Sequence, residues 1–298
     1  MRDEERTPSR VPSAAMDASD PSSILYQHTV LCQTCLPYRN PGDAVREWER
    51  EQGATALKVS AGEARDTTTG TWVKLGLPWG PKPRLILAHL NAEALRTGKP
   101  LVEVEGSLTA FVERIGLCCD GRTINVVKDQ LARLSAAQIR MAIAHGEHAR
   151  QVQAHIVTGF DLWFPKDERQ RVLWPTAIQL SLDYFESLQR HAVPLDECSL
   201  AALSHSAMAL DIYAWLAQRL HRIDPGRPQF VPWQAIKDQF GHGYGRMVEF
   251  RRVFRRTLEG VLGHYRAARL KADGCGLTLY HSPPPVKGRL GLVRKPQC

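Results

Sequence analysis

The chain lacks a long apolar run. No segment approaches the roughly 18–20 consecutive apolar residues that a membrane-spanning helix needs. The first 22 residues are charged and rich in serine and proline, and they lack the apolar centre of a secretory signal. We therefore expect a cytoplasmic protein that makes no membrane contact.

Regularly spaced cysteines are also missing. The seven cysteines stand at positions 32, 35, 118, 119, 198, 275 and 298, an odd number that argues against a disulfide framework. Cys32 and Cys35 form a CxxC pair, but the second pair that a zinc site normally needs is absent. We interpret the two as small residues on a strand and expect neither a metal nor a cofactor.

Catalytic motifs are absent as well. The glycine-rich segment 241–245 follows a predicted helix rather than a strand, and no Walker-type GK[ST] occurs. No His-hydrophobe-His motif is present, which counts against a nicking enzyme that uses a metal ion and a tyrosine nucleophile. Asp211 lies within an apolar helix, where a buried and paired carboxylate that fixes packing is the better interpretation than a catalytic acid. The sequence thus predicts a protein that is not an enzyme.

Positive charge is concentrated at one end of the chain. Residues 241–298 contain twelve Lys/Arg and three Asp/Glu, so this last fifth carries the entire net charge of +8. Such clustering is typical of a protein that binds the phosphate backbone of nucleic acid.

The element order predicts an α+β, mainly helical chain of two tandem winged-helix domains. In the first half, predicted strands at 29–38, 56–60 and 71–75 precede helices at about 81–98, 107–116 (N-cap Ser107) and 122–136, and a hairpin at 138–160 would be the wing. In the second half, a strand at 176–182 and helices at 183–191, 199–223, 231–241 and 246–265 precede a hairpin at 268–281. The predicted division is a disordered tail (1–28), an N-terminal domain (29–165), a C-terminal domain (166–286) and a basic tail (287–298).

The predicted helix Arg246–Tyr265 is the main candidate for DNA recognition. Its apolar residues share one face, and the opposite face carries Arg251, Arg252, Arg255 and Arg256, whose i,i+4 like charges repel each other. With the preceding helix it forms a helix-turn-helix, whose second helix enters the major groove. Further candidate DNA contacts are Arg246, Arg269 and Lys271 in this domain, and Arg122, Lys128 and Arg133 on the third helix of the first.

Several separated segments resemble one family. LPYR (36–39), GLPWG with PRLILAHL (76–90), GSLTAFVERIGL (106–117) and DQLARL (129–134) resemble the RepA replication initiators of broad-host-range plasmids. The same holds for ALDIYAWLAQRL (209–220), WQAIKDQFG (233–241), FRRVFRRTLEGVLGHY (250–265) and GLTLYHSPPPV (276–286). The resemblance covers residues 29–286. Trp79 departs from it, because tyrosine is usual at that turn.

The resemblance implies a protein that binds direct repeats (iterons) in double-stranded DNA at a plasmid origin. It further implies opening of the origin and recruitment of the host initiator and replicative helicase. The C-terminal domain would make the main contacts, and the first domain would add DNA contacts or mediate formation of a homodimer. Such dimers often repress their own gene. A winged-helix transcriptional repressor without a role in replication remains the alternative.

Overall fold

The computed structural model describes residues 23–65, 70–103, 107–145, 148–163 and 174–286. Within these residues no helix is both long and apolar enough to cross a membrane. The predicted basic tail, 287–298, and residues 1–22 lie outside the described part of the chain.

The first unit, as far as the structure describes it, combines short strands with five helices. Its elements are β1 (Ile24–His28), α1 (Thr29–Gln33), β2 (Glu47–Gln52), β3 (Thr55–Ser60), β4 (Glu63–Arg65), β5 (Trp72–Lys74), α2 (Pro81–Thr97), β6 (Leu101–Glu103), α3 (Leu108–Arg114), α4 (Gly121–Ala136), β7 (Gln138–His145), β8 (His148–His155), β9 (Val157–Trp163), β10 (Trp174–Leu180) and α5 (Leu182–His191). Cap residues set the helix ends, as predicted: Ser107 Oγ accepts from the N–H of Ala110 at 3.1 Å at the start of α3. Gly98 ends α2 with φ of +67°, a conformation that favours glycine.

The second unit follows without a break. Its elements are β11 (Ala192–Asp196), α6 (Glu197–Ala202), α7 (Ala207–Arg219), β12 (Gln229–Pro232), α8 (Trp233–Phe240), α9 (Met247–His264), β13 (Leu270–Ala272) and β14 (Gly276–Leu279). The single helix predicted over 199–223 is wrong. The chain leaves helical geometry after Ala202 and restarts at Ser206, whose side chain accepts from the N–H of Ala209 and caps α7.

One arrangement of three helices and three strands occurs twice. In the first unit the order is α2, β6, α3, α4, β9, β10, with β7 and β8 inserted between α4 and β9, and in the second it is α7, β12, α8, α9, β13, β14. The strands form antiparallel sheets of matching order, β6-β10-β9 and β12-β14-β13. The repeat of element order that the sequence predicts is therefore present, with a different set of strands in the first unit.

The hairpin predicted as the first wing belongs to another sheet. Strands β7 and β8 extend the hairpin β2–β3 into a four-stranded sheet of order β2-β3-β7-β8. The strands that follow it, β9 and β10, pair with each other instead. The strand β10, which the predicted boundary at 165/166 assigns to the second domain, therefore pairs within the first unit. Register between distant strands depends on tertiary packing, which local patterns do not show.

The N-terminal tail and the CxxC segment also differ from the expectation. Residues 24–28, expected in the tail, form β1, which pairs with β11 of the second unit. Cys32 lies on a helix, α1, rather than on a strand, and Cys35 follows that helix. Both cysteines are buried, and burial raises the pKa of Cys35 to about 11. Among the described residues no group of three His, Cys, Asp or Glu is placed to hold a metal ion.

Two hydrophobic clusters form the core, and α2 contributes to both. Leu85 and Ala88 face the cluster of the second unit, whereas Ile86 and Leu90 face that of the first. A helix that is apolar on nearly all sides must be buried between two layers. Helix α2 therefore lies between the two units and contributes to the core of each.

A buried ion pair joins α2 to α7. Arg84 donates from Nε to Asp211 Oδ1 at 2.6 Å and from Nη2 to Asp211 Oδ2 at 2.8 Å. The other donations of Arg84 go to the carbonyl oxygens of Gly80 and Leu36, and Tyr38 lies beside the guanidinium at 5.3 Å. Burial raises the pKa of the Asp211 carboxyl, and the positive charge of Arg84 opposes that rise. The interpretation of Asp211 as a packing carboxylate is confirmed.

A buried histidine holds the start of α1. His28 Nδ1 accepts from the N–H of Val30 at 3.2 Å, so the neutral ring carries its proton on Nε2, 3.0 Å from Ser187 Oγ. Burial, and secondarily the nearby His191, lower the pKa of His28 to about 3. His28 is therefore neutral in the folded protein at neutral pH.

We predict that Arg84→Met or Asp211→Leu alone lowers the free energy of unfolding by about 3–5 kcal/mol, because each leaves an unpaired buried charge. The double variant should cost clearly less than the sum, as no buried charge remains. Urea denaturation of the four proteins measures this cycle. The exposed Arg96, which pairs with Glu93 on the same helix, is the control, and Arg96→Ala should cost at most about 1 kcal/mol. Additive costs at Arg84 and Asp211 would contradict the assignment.

We also predict a loss of stability in mild acid that depends on His28. Its folded pKa lies below the unfolded value of 6.5, so its neutral form stabilises the fold above pH 6.5 and that contribution falls as the pH decreases toward 3. Between pH 7 and pH 5 the loss from this residue should be about 2 kcal/mol. His28→Asn keeps an acceptor for the helix cap and should show a correspondingly shallower dependence in urea titrations across this range. An unchanged slope would refute the prediction.

Candidate nucleic-acid interface

Two helices and a tight turn present the basic face of the second unit. Helix α8 ends at Phe240, and the turn reaches α9 through Gly243, whose φ of +88° favours glycine. Helix α9 then covers Met247–His264, as the sequence predicts. Its buried face consists of Phe250, Phe254, Leu258 and Val261, so the opposite face is available to solvent.

Two of the four arginines on α9 lie against a tryptophan of α8. The guanidinium carbons of Arg251 and Arg255 lie 5.1 and 5.2 Å from the ring centroid of Trp233. Arg255 also donates to the carbonyl oxygen of Asp273 in the turn of the hairpin β13–β14, and Trp233 Nε1 donates to the same oxygen at 3.0 Å. Arg255 thus links α9 to the hairpin through contacts within the protein.

The other two arginines are directed to solvent. Arg252 and Arg256 are exposed and one helical turn apart, and neither forms an ion pair with another described residue. One turn before Arg252 stands Val248, which is 72% exposed. These three residues form a line along α9, which we call the outer edge. A shallow groove beside it is lined by Val248, all four arginines and Glu259.

The hairpin β13–β14 brings further basic residues to the same end of the unit. Arg269 precedes β13, and Lys271 lies on it, and both are exposed. The turn between the strands is fixed by Asp273, whose Oδ1 accepts from the N–H groups of Cys275 and Gly276 at 2.7 and 2.9 Å. These hydrogen bonds, with smaller effects of Lys271 and Arg255, lower the pKa of the Asp273 carboxyl. Arg246, the residue before α9, is also exposed.

Helix α4, which occupies in the first unit the place of α9, differs from it. Arg122 and Lys128 are exposed on α4, but Arg133 is turned inward. Arg133 Nε donates to Asp129 at 2.9 Å, and Arg133 Nη1 lies 3.4 Å from Asp43. The structure therefore does not bring the three predicted contacts together as a free basic surface.

Two residues of this interface were not predicted from the sequence. Val248 was not recognised as part of the basic face, although its i,i+4 spacing to Arg252 is the signal that would have placed it there. Trp233 was predicted only to lie on a helix. It contacts Arg251 on a different helix, and no local sequence pattern indicates such a contact.

Comparison with known proteins identifies the family. The family model described as "Plasmid encoded RepA protein" matches residues 77–235, more than half of the chain. The chain belongs to the plasmid-encoded RepA family. The resemblance noted from the sequence motifs is confirmed. The matched region spans α2 to the start of α8, so α9 and its arginines lie beyond it.

Solved structures extend the likeness in fold. The crystal structure of domains 2–3 of RctB superposes with a TM-score of 0.51 at 9% identity, covering 82% of this chain and 85% of that one. A second crystal structure, of selenomethionine derivatives of domains 2 and 3 of RctB, gives a TM-score of 0.49 at 9% identity over 81% and 84% of the two chains. No curated protein matches the sequence significantly. The first likeness shows that this RepA-family chain shares an overall fold with the RctB domains.

Arg255, which contacts Trp233 and the hairpin, and Arg256, which is exposed, should differ in their contribution to the free energy of unfolding. We predict that Arg255→Ala lowers the free energy of unfolding by about 1–2 kcal/mol, because it removes a charged hydrogen bond and a cation–π contact. Arg256→Ala, the matched control one residue away, should change it by less than about 0.5 kcal/mol. Urea denaturation of the two variants makes the comparison. Equal effects would show that Arg255 is as free as Arg256.

Proposed function

We propose that this RepA-family protein is a replication initiator that binds double-stranded DNA repeats at a plasmid origin through the second unit. The observation that carries the proposal is the outer edge of α9, where two exposed arginines lack a described ion-pair partner. Family membership supports the role in plasmid replication, and the geometry of α8, α9 and the hairpin supports the contact with DNA.

We further propose that each unit is a winged helix. In the second unit, α7, α8 and α9 are the three helices, β12 is the short strand between the first two, and β13–β14 is the wing. In this motif the third helix enters the major groove while neighbouring elements contact the backbone. Arg252 and Arg256 would then face base edges, and Arg269 and Lys271 on the wing would face phosphates.

The electrostatics of α9 favour a polyanionic partner. Four arginines within six residues repel each other, and Glu249 and Glu259 offset only part of that repulsion. Phosphate groups would offset the remainder and release condensed counterions. Arginine is also the side chain best suited to bidentate contacts with guanine O6 and N7.

We propose that the first unit makes auxiliary contacts with DNA, whereas the second unit makes the main contacts. The inward position of Arg133 leaves Arg122 and Lys128 as its exposed basic residues on α4, which suits auxiliary DNA contacts. Formation of a homodimer through this unit, recruitment of the host initiator and helicase, and repression of its own gene complete the proposal. It assigns no catalytic activity, and it places the protein in the cytoplasm with the plasmid.

Binding to origin repeats in rising salt tests the proposed DNA contact. With six to eight phosphate contacts, the slope of log Kobs against log salt should be roughly −5 to −7. Arg252→Ala should weaken specific binding by about 1–3 kcal/mol if that residue reads a base. Arg190, an exposed arginine on α5, is the control, and Arg190→Ala should leave affinity for the repeats unchanged.

Two outcomes would refute the proposed contact. A flat salt response would show that phosphate contacts do not dominate binding. Unchanged affinity in both Arg252→Ala and Arg256→Ala would show that α9 is not the recognition helix. A plasmid that carries only the origin, supplied with the protein in trans, separates the initiator from the alternative repressor: the repressor would bind DNA without maintaining that plasmid.

A further inference from the structure

The most exposed large apolar side chain among the described residues stands at the start of the recognition helix. Val248 is 72% exposed and is the second residue of α9. Its neighbours along the groove are the four arginines and Glu259, so it is an isolated apolar group in a charged surface. Nothing in the described fold packs against it enough to explain a valine there.

Valine also gives no advantage to the helix itself. It has a lower helix propensity than alanine by roughly half a kcal/mol, because its branched Cβ loses rotamer freedom against the preceding turn. An exposed valine in the first turn therefore contributes little to the free energy of folding. Its position in line with Arg252 and Arg256 places it where a ligand of the outer edge would contact it.

Resting on the proposed function, we infer that Val248 is a specificity-determining residue that contacts the methyl group of a thymine. The first turns of a recognition helix reach base edges in the major groove. The thymine C5-methyl is the apolar group that this groove presents. Val248 and Arg252 lie four residues apart, a rise of about 6 Å along the helix. The thymine should therefore lie within about three base pairs of the guanine that Arg252 contacts, since base pairs rise by about 3.4 Å.

Single methyl deletions in the DNA test this inference. The probes are duplexes that carry one origin repeat, each with one thymidine replaced by deoxyuridine, which lacks only the methyl group. The wild-type protein should lose about fourfold in affinity at one position, the factor that corresponds to burying one methyl group. Val248→Ala should bind the unmodified repeat more weakly by a similar factor and should be insensitive to deoxyuridine at that position. The folding of this variant is not at risk, because the site is exposed and alanine is the better helix former.

A matched control removes the same atoms elsewhere. Val73, on β5, is 44% exposed, and Val73→Ala should retain the wild-type response to every methyl deletion. A Val248→Ala protein that responds to the same deletion as wild type would overturn the assignment, as would a wild-type protein that responds to none. Binding of wild type to the unmodified repeat is measured separately. Repeats that are bound without any response to methyl deletion would refute only the role of Val248, whereas repeats that are not bound would refute the proposed function as well.

Discussion

The buried pair of Arg84 and Asp211 is the interaction on which the relation between the two units depends. It joins α2 of the first unit to α7 of the second, and the same guanidinium donates to the carbonyls of Gly80 and Leu36. A buried charge is tolerated only where a partner and further hydrogen bonds satisfy it. The pair therefore favours one mutual placement of α2 and α7. Because α9 packs on α7, that placement also sets where α9 lies with respect to the first unit.

The two units share an element order but present different surfaces on α4 and α9. In the first unit, Arg133 on α4 forms ion pairs with Asp129 and Asp43, and an additional hairpin, β7–β8, extends a second sheet. In the second unit, Arg252 and Arg256 on α9 are exposed and form no ion pair with another described residue. The two units thus share an element order but differ in the side chains that their surfaces present, and a shared fold does not by itself imply a shared function.

Local signals predicted most helices, and non-local contacts account for what could not be predicted. Capping by Ser107, the glycine after α2 and the apolar face of α9 each lie within a few residues of the element that they define. The pairing of β10 with β6 joins segments more than 70 residues apart, and no local pattern reports it. Helix α1 has five residues, too few for a periodic signal, and its apolar run resembles a strand. At the candidate site the sequence places four arginines on one helix. It does not show which of them contact Trp233 and which are exposed, because Trp233 belongs to another helix.

The contacts of Arg251 and Arg255 explain how a helix with so much positive charge is stable in the free protein. The repulsion between Arg251 and Arg255 is offset by the ring of Trp233 and, for Arg255, by the carbonyl of Asp273. The same contacts fix the hairpin β13–β14 with respect to α9, so the basic surface is formed in advance. If α9 binds DNA as proposed, a surface formed in advance orders fewer side chains on binding, which lowers the entropic cost. Arg251 and Arg255 thus shape the surface while Arg252 and Arg256 remain exposed, so that fold stability and the proposed recognition can vary separately along one helix.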